Sequence, residues 1–232
     1  MMKPIATACL SLGLCIFAVA AGADNREPPI PPLNWQSENQ RNHPLVGRIW
    51  SVEKNDFVTV RELGREMALA RFVLLGEVHD NPDHHLWQAW AIRTISKLRG
   101  SRIVEGAPQV DIIAMEMVRV DQNAALDKFY GRDVLVPRPR KPRDFARMLK
   151  WDKSGWPDFK IYAPIIEQAL YEQIVIVPAS VSRNFTRRLS KEGEAALADG
   201  ELSRLSLATP LRETKTTALS MEILDSHCGL IP

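Results

Sequence analysis

Three of the chain's five histidines fall within seven residues, in Gly76-Glu77-Val78-His79-Asp80-Asn81-Pro82-Asp83-His84-His85. Glu77 and His79 stand two apart, so on an extended chain they share a face and can act on one ligand. Asn81-Pro82 reads as an N-cap followed by proline at the first helical position. That reading puts His84 and His85 in the first turn of a helix, whose N-terminus favours anionic groups. Such a cluster can bind a divalent metal ion, supply a general base or hold a cofactor. Catalytic zinc sites, for instance, use His and carboxylate ligands around an open position. Glu116 follows a second apolar run and would stand at the same edge, so Glu77, His79 and Glu116 together make the set a metal-dependent hydrolase needs. The plainer reading is a polar strand end whose Asp and Asn cap a helix.

A second group of residues is aromatic: Trp151-Asp152-Lys153-Ser154-Gly155-Trp156-Pro157-Asp158-Phe159-Lys160-Ile161-Tyr162-Ala163-Pro164. Pro164 suits the first turn of a helix, which places Tyr162 at or just before that helix's N-terminus. Core packing accounts for most aromatics of this kind. The functional alternative is a face for a planar ligand, with Tyr162 as an iron ligand, since tyrosinate is an established axial haem ligand.

The elements that would position these groups are short. Arg71-Phe72-Val73-Leu74-Leu75, the run 110–115 ahead of Glu116, and Ile174-Val175-Ile176-Val177-Pro178 read as buried strands. Helical stretches follow or precede them, at 82–97 with Gly100 beyond, at 121–129 and at 164–173. Strands alternating with helices predict a single α/β domain over 45–232, with a largely parallel central sheet flanked by helices. The carboxyl edge of such a sheet is where ligands bind, and it is where the histidine cluster falls. The basic run Pro137-Arg138-Pro139-Arg140-Lys141-Pro142-Arg143 reads as a solvated, proline-stiffened loop that could also hold carboxylates.

Composition narrows the classes. The 232 residues carry 30 Lys+Arg against 28 Asp+Glu, which gives no global basic field and argues against nucleic acid as a partner. Lys3 followed by an apolar run and Ala21-Gly22-Ala23 reads as a secretory signal peptide over 1–23, too short to span a membrane. Cys9 and Cys15 fall inside it and neither makes a good lipobox, so the mature chain is expected to be soluble and exported, with Cys228 alone and no internal disulfide. The Pro-rich stretch 24–44 is expected to be an extended leader rather than a packed element.

The ordered motifs Leu74-Leu75-Gly76-Glu77-Val78-His79-Asp80-Asn81, Ala114-Met115-Glu116-Met117 and Trp151…Gly155-Trp156-Pro157…Tyr162-Ala163-Pro164 resemble those of the ChaN-like haem-binding uptake lipoproteins. That family lies in the broader Tiki and erythromycin-esterase-like superfamily, and the resemblance covers about residues 45–232. It implies an α/β fold and an exported bacterial protein of the periplasm or outer membrane that takes part in haem-iron uptake with an outer-membrane system. It also implies haem held between two subunits, with a Tyr on iron and a His from the partner. Tyr162 carries over as the Tyr, ahead of Tyr130 and Tyr171, while the His is one of His79, His84, His85 and His227. Trp156 would cover the porphyrin, and Arg183 or the 138–143 loop would meet propionates. Three departures stand out. There is no good lipobox, the turn after the third strand keeps only Arg183 of the family's pattern, and the chain stops at Ser226-His227-Cys228-Gly229-Leu230-Ile231-Pro232, where similar proteins continue. A C-terminally truncated domain is expected on that ground. Hydrolase chemistry, with a divalent metal ion on Glu77, His79 and Glu116, is the alternative function, and an adaptor module that has lost its ligand is a third.

Overall fold

The computed structural model describes residues 31, 33–100, 111–131, 140–204 and 209–226. The expectations for the signal peptide at 1–23, for Arg138 and for His227 and Cys228 lie outside these. The first regular elements are a small antiparallel pair, β1 (Ile49–Ser51) and β2 (Asp56–Val58), in the register Ile49 to Val58. Helix α1 (Val60–Leu69) follows at once, and a capping box starts it. The Thr59 hydroxyl accepts from the Glu62 amide at 3.2 Å, and the Glu62 carboxylate accepts from the Thr59 amide at 2.8 Å. The sequence reading assigned nothing to these three elements.

Helix α2 (Pro82–Gly100) begins where Asn81-Pro82 predicts. Asn81 Oδ1 accepts from the Asp83 amide at 3.0 Å, and the helix runs on to Gly100. Strand β3 (Ile112–Arg119) extends past the predicted end, so Glu116 sits inside the strand rather than at its terminus. After a 3-10 turn comes α3 (Asn123–Tyr130), which closes on Gly131 at φ 69°, left-handed backbone that glycine takes without a Cβ clash. Arg140 donates to the carbonyls of Phe129 and Tyr130 at that helix end, so this cation of the basic run closes α3 and is not free for a ligand. Helix α4 (Pro142–Met148) has Pro142 in its first turn.

Helix α5 (Phe159–Tyr171) departs from expectation. It starts five residues earlier than predicted because Asp158 is the N-cap and accepts from the Lys160 amide at 2.9 Å, and it keeps Pro164 inside. Tyr162 therefore lies within the helix, on its buried face with Ile165, Ile166 and Ala169. Strand β4 (Val175–Ser180) runs parallel to β3, with Ile112 opposite Val175 and Ala114 opposite Val177. Helices α6 (Arg183–Glu192), α7 (Glu201–Arg204) and α8 (Glu213–Ser226) complete the described chain. Among the described residues no helix is long and apolar enough to cross a membrane.

Among the described residues the parallel pairing of the expected central sheet is the two-stranded pair β3–β4. Residues 71–77 carry no regular secondary structure and among the described residues join no ladder; they and β3 line one cleft of about 680 Å³. A strand exists only by pairing an edge, so this run stays irregular despite its sequence. The main core lies between the sheet pair and the helices: Met115, Met117, Val118 and Ile176 pack with Phe145, Trp151, Tyr162 and Ile166. A smaller cluster, Met67, Trp90 and Ala91, joins α1 to α2.

The leader also departs from expectation where it is described. The amides of Gln36 and Ser37 both donate to the buried Asp83 carboxylate at 2.8 Å, and Trp35 stacks on Trp87 at 6.2 Å and 5°. Desolvating a carboxylate is costly unless donors replace water, and these two amides do so. The residues around Trp35 are thereby fastened to the start of α2.

Candidate functional site

Glu77 is the hub. Its side chain is 8% exposed, and both oxygens are engaged. Oε1 faces His79 Nδ1 at 2.8 Å and accepts from the Tyr162 hydroxyl at 3.1 Å. Oε2 accepts from Gln88 Nε2 at 2.9 Å and lies 3.3 Å from His85 Nδ1. The carboxylate sits at the end of the 71–77 run; α2 brings Gln88 and His85 to it, α5 brings Tyr162, and His79 follows two residues on in the chain.

The three clustered histidines take different roles. His79 presents Nδ1 to the Glu77 carboxylate, which fixes the Nδ1–H tautomer and leaves Nε2 with its lone pair. Its side chain is 46% exposed, and its ring meets Trp156 edge-on at 4.8 Å. His84 Nδ1 accepts from the Val78 amide at 2.8 Å, so its Nε2 carries the proton and can donate to an anion but not ligate a metal. His85 is fully buried against Tyr162 at 4.0 Å. Its two ring nitrogens meet Gln88 Oε1 at 3.2 Å and the His79 carbonyl at 3.1 Å, so neither faces open space.

Tyr162 is wholly buried, and its hydroxyl is shared between Glu77 and the His79 carbonyl at 3.0 Å. Burial, reinforced by the negative charges of Glu77, Glu116 and Asp80, holds the phenol well above the usual tyrosine range. The oxygen thus faces a carboxylate and a main-chain carbonyl. The cause is the early start of α5, which turns Tyr162 inward at the buried spacing 162, 165, 166, 169. That spacing and the N-cap Asp158 were both readable in the sequence. Of the lesser tyrosines, Tyr130 accepts from the Ile176 amide at 2.8 Å and Tyr171 is 80% exposed on α5, at the end away from Tyr162.

Trp156 and Arg183 come to the same edge as His79. Gly155, at φ 88°, makes the turn that presents Trp156, while Trp151 goes into the core and donates Nε1–H to the Pro157 carbonyl at 2.9 Å. Arg183 opens α6 just after β4. It donates to the Ser154 carbonyl, and a Cβ at Gly155 would lie 3.7 Å from its Nη2. An imidazole nitrogen, an indole face and a guanidinium therefore share the carboxyl edge of the sheet, beside an apolar cleft whose volume is ordinary for a small-molecule or cofactor site. An imidazole nitrogen, an aromatic plane and a cation for a carboxylate suit an iron porphyrin carrying propionates.

Glu116 lines the cleft together with Glu77 and His79, but the three do not converge. Among the described residues no group of three or more His, Cys, Asp or Glu side chains is gathered to hold a metal ion. The reason is local: Glu77 is already saturated by its own neighbours, and Glu116 projects from mid-strand. The sequence reading missed Gln88 and Asp83. Gln88 sits one turn beyond His85 on α2, and that spacing was its only signal.

The fold and site bring a His, a Trp and an Arg to one edge of an α/β frame. The model of the family described as haem-binding uptake, Tiki superfamily, ChaN matches residues 63–231, and the chain belongs to that family. A solved structure, titled cofacial heme binding to ChaN of Campylobacter jejuni, shares the fold with a TM-score of 0.53 at 21% identity. The match covers 78% of this chain and 63% of that one, so the chain spans less than two thirds of its structural relative. No curated protein matches the sequence significantly.

Proposed function

We propose that this protein binds haem at the carboxyl edge formed by His79, Trp156 and Arg183, and that it serves haem-iron uptake. The observation that carries the reading is the His79 side chain: Glu77 holds its Nδ1–H, and Nε2 stands at a half-exposed ring against Trp156. Membership of a haem-binding uptake family supports the ligand. When bound, haem supplies a ferric centre for an axial ligand and two carboxylates for cationic or N–H partners. His79 Nε2 would reach the iron, with Glu77 keeping the imidazole oriented and basic. Trp156 would cover one porphyrin face, and Arg183 with the His84 Nε2–H would meet propionates. Ligation by Tyr162, as the resemblance implies, requires its hydroxyl to leave Glu77 and the His79 carbonyl and to shed a proton that burial retains.

The reading includes export, carried by the sequence of residues 1–23, and a second copy covering the open side of the haem, as the family resemblance implies. Sedimentation of residues 24–232 with and without hemin checks the second copy, which predicts a hemin-dependent dimer. The central test is a hemin titration followed at the Soret band. Wild-type protein is expected to bind stoichiometrically, His79→Ala to lose or redshift the ligand-dependent bands, and Tyr162→Phe to keep them. Loss in Tyr162→Phe with retention in His79→Ala would assign the iron to the tyrosinate instead. No spectral change in the wild type would end the haem reading.

A further inference from the structure

Helix α6 follows β4 after only Val181 and Ser182, and none of its residues is buried. Ser182 caps it, its Oγ accepting from the Phe185 amide at 3.1 Å. Arg183 turns toward the loop that presents Trp156, where it donates to the Ser154 carbonyl beside Gly155. Arg187 and Lys191 follow at intervals of four, so they share the face of Arg183 at steps of about 6 Å along the helix axis. Both are exposed, and among the described residues neither makes an ion pair. The remaining cation, Arg188, is engaged: it pairs with Glu192 at 3.5 Å and donates to the Ala196 carbonyl at 2.9 Å. The positions beside the stripe, Asn184, Thr186 and Ser190, are uncharged, while Phe185 and Leu189 fall on the opposite side of the helix. Like charges at such spacings repel and weaken a helix, so the stability of α6 does not account for them.

We propose that Arg187 and Lys191 form a cationic track that draws the two carboxylates of the porphyrin onto the edge, where Arg183 receives one of them; this rests on the haem reading above. Along the axis the two cations stand about 6 and 12 Å beyond Arg183, too far to touch a carboxylate held there. They are nevertheless within about a Debye length of it at moderate salt, so they act on an approaching anion. The partial positive charge of the α6 N-terminus lies at the same end and adds to the pull. A field of this kind speeds encounter and leaves the bound complex unchanged. The track therefore sets how fast the site fills, and His79 and Trp156 set how long it stays filled.

The test follows hemin association with the protein of residues 24–232 by stopped flow at the Soret band, at low and high salt. The double variant Arg187→Glu with Lys191→Glu is expected to associate about tenfold more slowly at low salt and within about twofold of wild type at high salt. Its dissociation rate, bound Soret spectrum and circular dichroism are expected to match the wild type, which a structural role for these residues would not allow. Arg187→Gln with Lys191→Gln should fall between the two, so that rate follows charge. Protoporphyrin IX, which keeps the carboxylates but lacks iron, should give the same order by fluorescence, so the track is judged apart from the iron ligand. Equal association rates in wild type and the charge-reversed protein, or a difference that salt leaves intact, overturn the proposal; a wild-type Soret change then leaves the haem reading standing. Uptake of neither porphyrin by the wild type overturns both. Loss of binding to phosphatidylglycerol vesicles in the double variant, with porphyrin rates unchanged, also overturns the proposal and gives the stripe to a membrane surface.

Discussion

Glu77 accepts from or faces four side chains, which makes the site a network with one centre rather than a row of independent ligands. Tyr162 is the member whose removal is easiest to read. Tyr162→Phe keeps the packed ring but deletes a donor to Glu77 and to the His79 carbonyl, and it should cost about 1–3 kcal/mol in urea unfolding. The same phenol makes stability depend on alkaline pH. Its folded pKa is raised above the ordinary value of 10.0. Its contribution is therefore fully present below about pH 10, where both states are protonated, and is lost as pH rises from there toward the folded value. Tyr130 is shifted the same way by burial. Urea melts between pH 8 and pH 11 should show the wild type losing stability at the alkaline end and Tyr162→Phe losing less.

At the scale of elements, α2 does the positioning. Its first turn carries Asp83, which grips the amides of Gln36 and Ser37, and His84 and His85, which hold the chain around Val78 and His79. Asp83→Ala leaves two amides without their buried acceptor and should destabilise by about 1–3 kcal/mol. Hydrogen exchange should show residues 36 and 37 losing protection while α5 keeps its own. The start of α2 was legible because Asn81-Pro82 is a local signal, complete within a few residues. The start of α5 was misread because Pro164 competed with Asp158, and the stronger hydrogen-bonding cap set the boundary. The strand 175–180 was legible from its apolar run. The run 71–75 has the same character, yet it forms no strand without an edge to pair with.

For the molecule as a whole, Arg99 ties three parts together: the end of α1, the start of the 71–77 run and the start of β3. Its side chain is 9% exposed and that of Asp111 23%, so water screens the pair only in part. Arg99→Met removes one partner of a largely buried pair and strips donors from the carbonyls of Ala68 and Ala70. The expected loss is about 2–4 kcal/mol, below the top of the range for buried pairs because Asp111 keeps some solvent. Thermal melts at low and high salt should show that loss nearly unchanged by salt, as partly buried charges are screened little. A salt-sensitive loss would mean that the pair is open to water and does not hold α1 to the start of β3.

By itself the sequence determined which residue types could carry chemistry and where several elements begin, because caps, turn residues and apolar runs act over a few neighbouring positions. It placed His79, Trp156 and Arg183 in three separate motifs and could not say that they share an edge. Only the tertiary structure decided that they do, that Tyr162 turns inward to Glu77, and that 71–77 joins no ladder. Each of these depends on contacts between positions far apart in the chain, such as Glu77 with Tyr162 or Arg99 with Asp111 across the end of the cleft, and no local pattern encodes such distances.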